Sequence, residues 1–261
     1  LHELVTQRGE ELLGKHHPQA RFPLLLKFLD AAQPLSVQVH PDDAQGARLT
    51  PPDLGKSEAW VVMRAEPGSA IYAGFKRGFD RAAVEREVSR GTVELCLHRF
   101  EPKVGDCVYL PAGTVHALGA GLMVAELQQA SDTTFRLFDW NRVGPDGQPR
   151  ALHVEQALAT IDFAREPITP IGTQPIDAAG MECLVHGEKF VLERFRSDRP
   201  LTVGGDGQAR LLVVLDGELA VEKDASPEPL GTGGTMLLPA GCGAIRLEPV
   251  SQVVGLLARL P

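Results

Sequence analysis

The chain has 261 residues, a net charge of −8 at neutral pH and 43% hydrophobic residues, enough to bury one large core or two smaller ones. Acidic and basic residues are mixed without a basic block, which argues against nucleic acid or an anionic membrane surface as partner. No apolar run approaches the roughly 20 residues of a membrane span, and no signal-peptide pattern opens the chain. The four cysteines, Cys96, Cys107, Cys183 and Cys242, are scattered without a C-x-x-C pair, so free thiols in a reducing cytoplasm are expected rather than disulfides.

In chain order, residues 3–14 carry Leu4, Val5, Leu12 and Leu13 among charges, a short helix ending at Gly14. From Phe22 the texture changes to short apolar or alternating runs between Pro, Gly and Asp, predicting strands over 23–29, 35–40, 59–63 and 69–74. Residues 80–98 interrupt this rhythm as a helical insertion, with Asp80 as N-cap and Gly91 as a break. Strands resume over 104–110, 115–118, 122–128 and 134–138, and a second helix is expected over 154–161. The Pro-rich stretch 166–175 reads as a linker. Beyond it, strands are expected over 190–196, 211–215, 218–222, 235–238 and 253–257. The pattern is all-β with helical insertions, a barrel or sandwich in a first lobe over 1–165 and a smaller β lobe over 176–261.

The two lobes share a phrase. Gly105–Gly113 (GDCVYLPAG) matches Gly233–Gly241 (GGTMLLPAG), each a strand followed by a Pro-Ala-Gly turn. Three residues after the first stands His116, and three after the second stands Ala244. The expectation is two related lobes, of which only the first keeps its histidine and the second lacks metal ligands.

The segment 34–43 (PLSVQVHPDD) concentrates the chemistry. Strand alternation puts Gln38 and His40 on one face and Val37 and Val39 on the other, and Pro41 ends the strand. Gln38, His40, Glu58 and His116 come from neighbouring predicted strands and can converge on one interior point. Two imidazoles and a carboxylate suit Zn²⁺ or another late first-row divalent ion. Each residue also has a plainer reading: a hydrogen-bonded strand histidine, a carboxylate beside Lys56, a turn-proximal histidine.

The motifs QVHPDD (38–43), GKSEAW (55–60), LPAGTVHAL (110–118) and DTTFRLFDWNR (132–142) resemble those of type I mannose-6-phosphate isomerases, in the order and spacing of the short bacterial members. The resemblance is strong over 1–165 and loose beyond. It implies two cupin-like β-barrel or jelly-roll lobes, one zinc per chain held by Gln38, His40, Glu58 and His116, and Arg136 in the active site. It also implies a further β segment ahead of Leu1. The activity implied is interconversion of mannose 6-phosphate and fructose 6-phosphate through a cis-enediol. That reaction calls for a Lewis acid or fixed cations beside a carbonyl oxygen that gains charge.

Arg136 suits enediolate stabilisation, its plainer reading being an ion pair with Asp132 or Asp139. Glu126 and Lys56 are candidates for the substrate site, and Ser36, Lys76 and Arg142 for phosphate contacts. His2, His16, His17, His98, His153 and His186 lack a partner pattern. The expected partner is a small sugar phosphate, with no nucleic acid and no membrane, and the expected assembly a monomer or homodimer in the cytoplasm. A non-catalytic metal-containing cupin that binds a sugar, or a cupin oxygenase, are the alternatives; Lys56, Glu126 and Arg136 beside the ligand set favour the isomerase.

Overall fold

The computed structural model describes all residues except Pro145, Asp146, Thr173, Pro227 and residues 177–179. Its helices are α1 (His2–Leu13), α2 (Asp43–Gly46), α3 (Arg81–Arg90) and α4 (Val154–Thr160). The first strands are β1 (Leu24–Ala31), β2 (Val37–Val39), β3 (Glu58–Ala65), β4 (Ile71–Phe75), β5 (Leu97–Phe100), β6 (Cys107–Leu110), β7 (His116–Leu118), β8 (Leu122–Gln129) and β9 (Phe135–Phe138). They are followed by β10 (Gln174–Pro175), β11 (Met181–His186), β12 (Val191–Ser197), β13 (Leu201–Gly204), β14 (Arg210–Asp216), β15 (Glu218–Val221), β16 (Leu230–Gly231), β17 (Thr235–Leu238), β18 (Ala244–Pro249) and β19 (Val253–Arg259). No helix among the described residues is long and apolar enough to cross a membrane, and all four cysteines are free.

The chain divides into two compact units, Leu24–Ile171 and Leu1–Pro23 with Gly172–Pro261. In the first, the site unit, antiparallel strands form a four-stranded sheet ordered β1-β8-β3-β6 and a five-stranded sheet ordered β5-β4-β7-β2-β9. In the second, the companion unit, the orders are β10-β11-β12-β19-β14-β17 and β13-β18-β15-β16. The mostly-β architecture with few helices is as expected. The barrel part of the expectation changes: among the described residues each unit holds two open sheets, and no sheet closes on itself.

Alternation along the strands explains the layers of the site unit. Trp60, Val62, Val108, Leu110, Leu122 and Val124 of the four-stranded sheet pack with Ile71, Ala73 and Leu118 of the five-stranded sheet, forming the apolar half of the space between them. On the other face of the five-stranded sheet, Val37, Val39, Ala117 and Leu137 pack under Val84 of α3 and Ala157 and Leu158 of α4. Gln38 and His116, one residue out of phase with these, therefore face inward.

The elements differ from expectation in three instructive places. The helical stretch 80–98 is α3, capped by Asp80 (Asp80 Oδ1 accepts from Ala83 N, 2.8 Å) and stopped by Gly91 at φ 71°. A 3-10 turn Val93–Cys96 and the edge strand β5 then follow, because Leu97 and Phe100 pair with β4. The segment expected as a linker is tied down: Ile168 N donates to Ala73 O (3.1 Å) and Ile171 N to Cys107 O (2.8 Å). And α1 joins the companion unit, where Val5, Leu12 and Leu13 pack with Phe22 and Leu237, since its one apolar stripe needs a partner.

Candidate metal centre

Strand pairing assembles the centre. Gln38 on β2 lies directly across from His116 on β7 and, on its other side, from Arg136 on β9. On the opposite sheet Glu58 on β3 lies across from Gln128 on β8, and Trp60 and Lys27 flank Glu126 from both sides. The space between the sheets thus has a polar half, built from the same inward-facing positions that two residues away along β3, β7 and β8 carry the apolar core.

His40, Glu58 and His116 each offer one ligand atom, all within 4.8 Å of one another, and expose at most 1% of their surface. Glu58 Oε1 lies 3.1 Å from His116 Nε2 and Oε2 lies 3.5 Å from His40 Nε2. The two rings stand 5.0 Å apart. His40 Nδ1 donates to Thr133 O (2.8 Å) and His116 Nδ1 to Thr114 O (2.9 Å). With each Nδ1 donating to a backbone carbonyl, each ring turns its Nε2 toward Glu58. Neither Glu58 oxygen accepts a well-directed hydrogen bond despite full burial, and although the Lys56 ammonium stands beside one of them, a further cation would relieve the cost of burying the carboxylate. Two inward imidazole lone pairs and an unsatisfied carboxylate fit a divalent metal ion. The Gln38 carboxamide adds a fourth donor, 3.4 Å from His116 Nε2.

Lys56 completes this cluster, with Nζ 3.2 Å from Glu58 Oε2 and 3.2 Å from His40 Nε2. Burial and the Lys56 charge, only partly offset by Glu58, push the His40 pKa down to about 3, burial being the largest cause. Burial alone disfavours the Glu58 anion, but Lys56, His116 and His40 outweigh it and hold the carboxyl below its usual range.

Glu126 lies two positions along β8 from Gln128, the residue across from Glu58. Its Oε2 accepts from Trp60 Nε1 (2.8 Å), and the Trp60 ring meets His116 edge-on at 5.4 Å. Its Oε1 lies 3.5 Å from Lys27 Nζ. Burial, and then the Glu58 charge, raise its pKa. Arg136 faces inward beside Gln38, but Asp139 is not its partner: Asp139 binds Arg142 and Arg150 instead, while Arg136 Nη1 donates to Ala151 O (2.8 Å). Of the three phosphate candidates, Ser36 Oγ reaches Gln38 Oε1 (3.4 Å) and Arg142 pairs with Asp139. Lys76 is not brought to the site; its exposed ammonium donates to Leu95 O (3.0 Å).

Residues that single motifs did not reveal support the cluster. Lys27 donates to Gln128 Oε1 (2.6 Å), and only the register of β1 with β8 puts it there. Asp53 Oδ2 accepts from Ser131 Oγ and Thr133 Oγ1, both at 2.8 Å, fixing the loop whose Thr133 carbonyl orients His40. Asp43 Oδ1 accepts from Gly55 N (2.7 Å) and Gln129 Nε2 (3.0 Å), and the Asp42–Gln45 capping box closes α2 beside it. Acidic residues just after a histidine strand are the available signal for such a brace.

Known proteins resemble the chain throughout. The family model for the phosphomannose isomerase type I catalytic domain matches residues 1–59. The mannose-6-phosphate isomerase ManA of Bacillus subtilis is 32% identical over 235 residues, covering 90% of this chain and 74% of that protein. The mannose-6-phosphate isomerase of Streptococcus mutans is 32% identical over 243 residues, covering 92% and 74%. The crystal structure of the Bacillus subtilis mannose 6-phosphate isomerase superposes with a TM-score of 0.87 at 27% identity, covering 98% of this chain and 80% of that one.

Proposed function

The chain belongs to the type I mannose-6-phosphate isomerase family, and on that premise we propose that its buried polar layer interconverts mannose 6-phosphate and fructose 6-phosphate, with one Zn²⁺ held by Gln38, His40, Glu58 and His116. The observation that carries this reading is the buried trio of His40, Glu58 and His116, whose donor atoms converge within 4.8 Å with Lys56 against them. A jelly roll of the cupin type is the proposed description of the two-sheet units. When bound, a divalent zinc ion supplies a Lewis acid beside the sugar carbonyl.

The chain's own residues supply the rest. In the aldose-to-ketose direction a proton leaves C2 and the carbonyl oxygen at C1 gains one, giving a cis-enediol. A proton then returns at C1 while the hydroxyl at C2 gives up its own and becomes the carbonyl. Glu126 suits proton transfer because burial raises its carboxyl toward neutrality, and Lys27 and Trp60 hold it in place. Lys56 is a fixed ammonium in the layer where the oxyanion develops. Arg136, cationic and inward-facing in the row His116–Gln38–Arg136, adds a planar fork of donors. Ser36 and Arg142 remain the proposed phosphate contacts.

The test is conversion of mannose 6-phosphate by purified protein before and after chelation, followed by zinc restoration. Loss with chelator and return with zinc is the expected result. A folded, zinc-loaded protein without turnover would leave a sugar-binding cupin as the better reading.

A further inference from the structure

Gln128 is a fully buried polar side chain that neither the proton transfers nor the metal ligands use. Val124, Glu126 and Gln128 share the inward face of β8. Val124 belongs to the apolar core, Glu126 stands between Lys27 and Trp60, and Gln128 exposes none of its surface. A carboxamide in that position is costly unless its donors and acceptor are satisfied. Gln128 meets the demand with three hydrogen bonds. Its Oε1 accepts from Lys27 Nζ at 2.6 Å, and its Nε2 donates to Gln129 O at 2.8 Å and Ser131 O at 2.9 Å.

Only one orientation of the carboxamide works here. Turned over, it would set its NH2 against an ammonium and its oxygen against two carbonyls. The two ends therefore hold two different things, and the oxygen end holds Lys27. Lys27 lies directly across from Glu126 and Gln128 across from Leu25 in the β1–β8 pairing, so the ammonium reaches diagonally over the ladder. It stands 2.6 Å from the carboxamide oxygen and 3.5 Å from Glu126 Oε1. With 35% of the Lys27 side chain exposed, the nearer partner restrains a flexible four-carbon stem that the carboxylate alone would leave freer.

The NH2 end holds the loop after β8. There Ser131 Oγ donates to Asp53 Oδ2 (2.8 Å) and accepts from Thr133 N (3.2 Å), and the Thr133 carbonyl accepts from His40 Nδ1 (2.8 Å). A continuous run of hydrogen-bonded residues thus leads from Lys27 through Gln128, Ser131 and Thr133 to His40. Resting on the proposed function, we propose that Gln128 is a positioning residue that ties the proton-transfer side of the site to the metal side. It sets Lys27 against Glu126 and, through Ser131 and Thr133, it sets the ring of His40. Support of the loop alone would predict lost stability with zinc affinity and turnover unchanged.

Gln128→Met keeps the length of the side chain and removes all three hydrogen bonds. The full chain is compared with Gln128→Met, Lys27→Met and the double variant. The zinc dissociation constant is read by competition with a chromophoric chelator, kcat and KM for mannose 6-phosphate at saturating zinc, and stability by melting. Gln128→Met is expected to weaken zinc and to lower kcat by about tenfold each, with KM nearly unchanged. Lys27→Met is expected to lower kcat and leave the zinc constant nearly unchanged. Because Gln128 acts on turnover through Lys27, the double variant should lose little more kcat than Lys27→Met alone. Losses that multiply in the double variant overturn the link to Lys27. An unchanged zinc constant in folded Gln128→Met overturns the link to His40. If Gln128→Met does not fold, Gln128→Asn, whose carboxamide is one methylene short, is judged by the same outcomes. Wild type that binds zinc but turns over no mannose 6-phosphate is the failure of the isomerase reading instead, and the zinc constants then still decide the link to His40.

Discussion

The two Pro-Ala-Gly turns sit in the same local setting and serve different interiors. In the site unit, β6 runs into Pro111-Ala112-Gly113 and β7 opens on His116; in the companion unit, β17 runs into Pro239-Ala240-Gly241 and β18 opens on Ala244. His116 is buried against Glu58, whereas Ala244 is exposed and pairs with Gly204 at the sheet margin. The companion unit's interior is apolar, with Phe195, Leu212, Val214, Leu219, Leu247 and Leu257 in one cluster. The site unit divides the space between its sheets, giving half of it to charges. One backbone device can thus deliver either a candidate metal ligand or a sheet edge. What decides is whether facing strands offer a complementary carboxylate, because a histidine aimed at an apolar interior would be buried without a partner.

The strongest way to break the comparison is to give the site unit its companion's residue. His116→Ala removes one of the two inward ring nitrogens, so metal content should fall to background and turnover by more than about 100-fold. Stoichiometric zinc retained in that variant would sink the ligand assignment. In the companion unit the largest effects should be on stability alone. An added Cβ at Gly255 would lie 2.2 Å from Phe195 Cζ and 2.9 Å from Val213 O, so Gly255→Ala should cost about 1–3 kcal/mol in a denaturant melt. Metal content and the kcat of the folded fraction should not change; a loss of bound metal would show the units to be less separable than their chemistry suggests.

Acid should find the site unit first. His40, held near 3 by burial, stays neutral in the folded metal-free protein while the unfolded chain binds a proton below about pH 6.5. Unfolded chain then holds more protons, so stability falls as pH drops from 6.5 toward 3, by on the order of 1 kcal/mol per pH unit. Glu58, depressed below its usual range, adds a loss of the same sign once the pH falls below its unfolded value. The chain's two tryptophans, Trp60 and Trp140, both lie in this unit, so fluorescence-detected urea midpoints of chelated protein at pH 7 and pH 5 read it directly. Equal midpoints would contradict a buried neutral His40. The smallest effect belongs to Ala244→His: at an exposed position outside the His40–Glu58–His116 group found among the described residues, it should gain no second metal and shift stability within about 0.5 kcal/mol.

Much of this was legible in the chain. Alternation in 35–40 placed Gln38 and His40 on one face and the valines on the other, and the structure packs Val37 and Val39 under α3 and α4. Asp80 and Gly91 bounded α3 because capping and left-handed backbone are local chemistry. Strands β11, β13 and β18 escaped notice, although Ala244–Pro249 carries a clean burial alternation around Ile245 and Leu247. Of these, β13 has four residues and finds its partner in the distant β18, whereas β11 and β18 have six each and length does not account for them. Lys27 is a single cation within the apolar run 23–29, and only the pairing of β1 with β8 brings it to Glu126. Asp139 looked like a partner for Arg136, since spacing in sequence cannot tell which of three nearby arginines a turn will fold back.

By itself, the sequence singled out residues with the chemistry to hold a cation, the strand faces they would share, and a mostly-β chain with few helices. These follow from side-chain type and the period of 2 along a strand. Tertiary structure alone decided that Glu58 would be stripped of hydrogen bonds between two histidines, that Lys27 would reach Glu126, and that Arg142 and Arg150 would close on one carboxylate. Those depend on which strands become neighbours, and neighbours are chosen by burying whole sheet faces, a property no short stretch of chain contains.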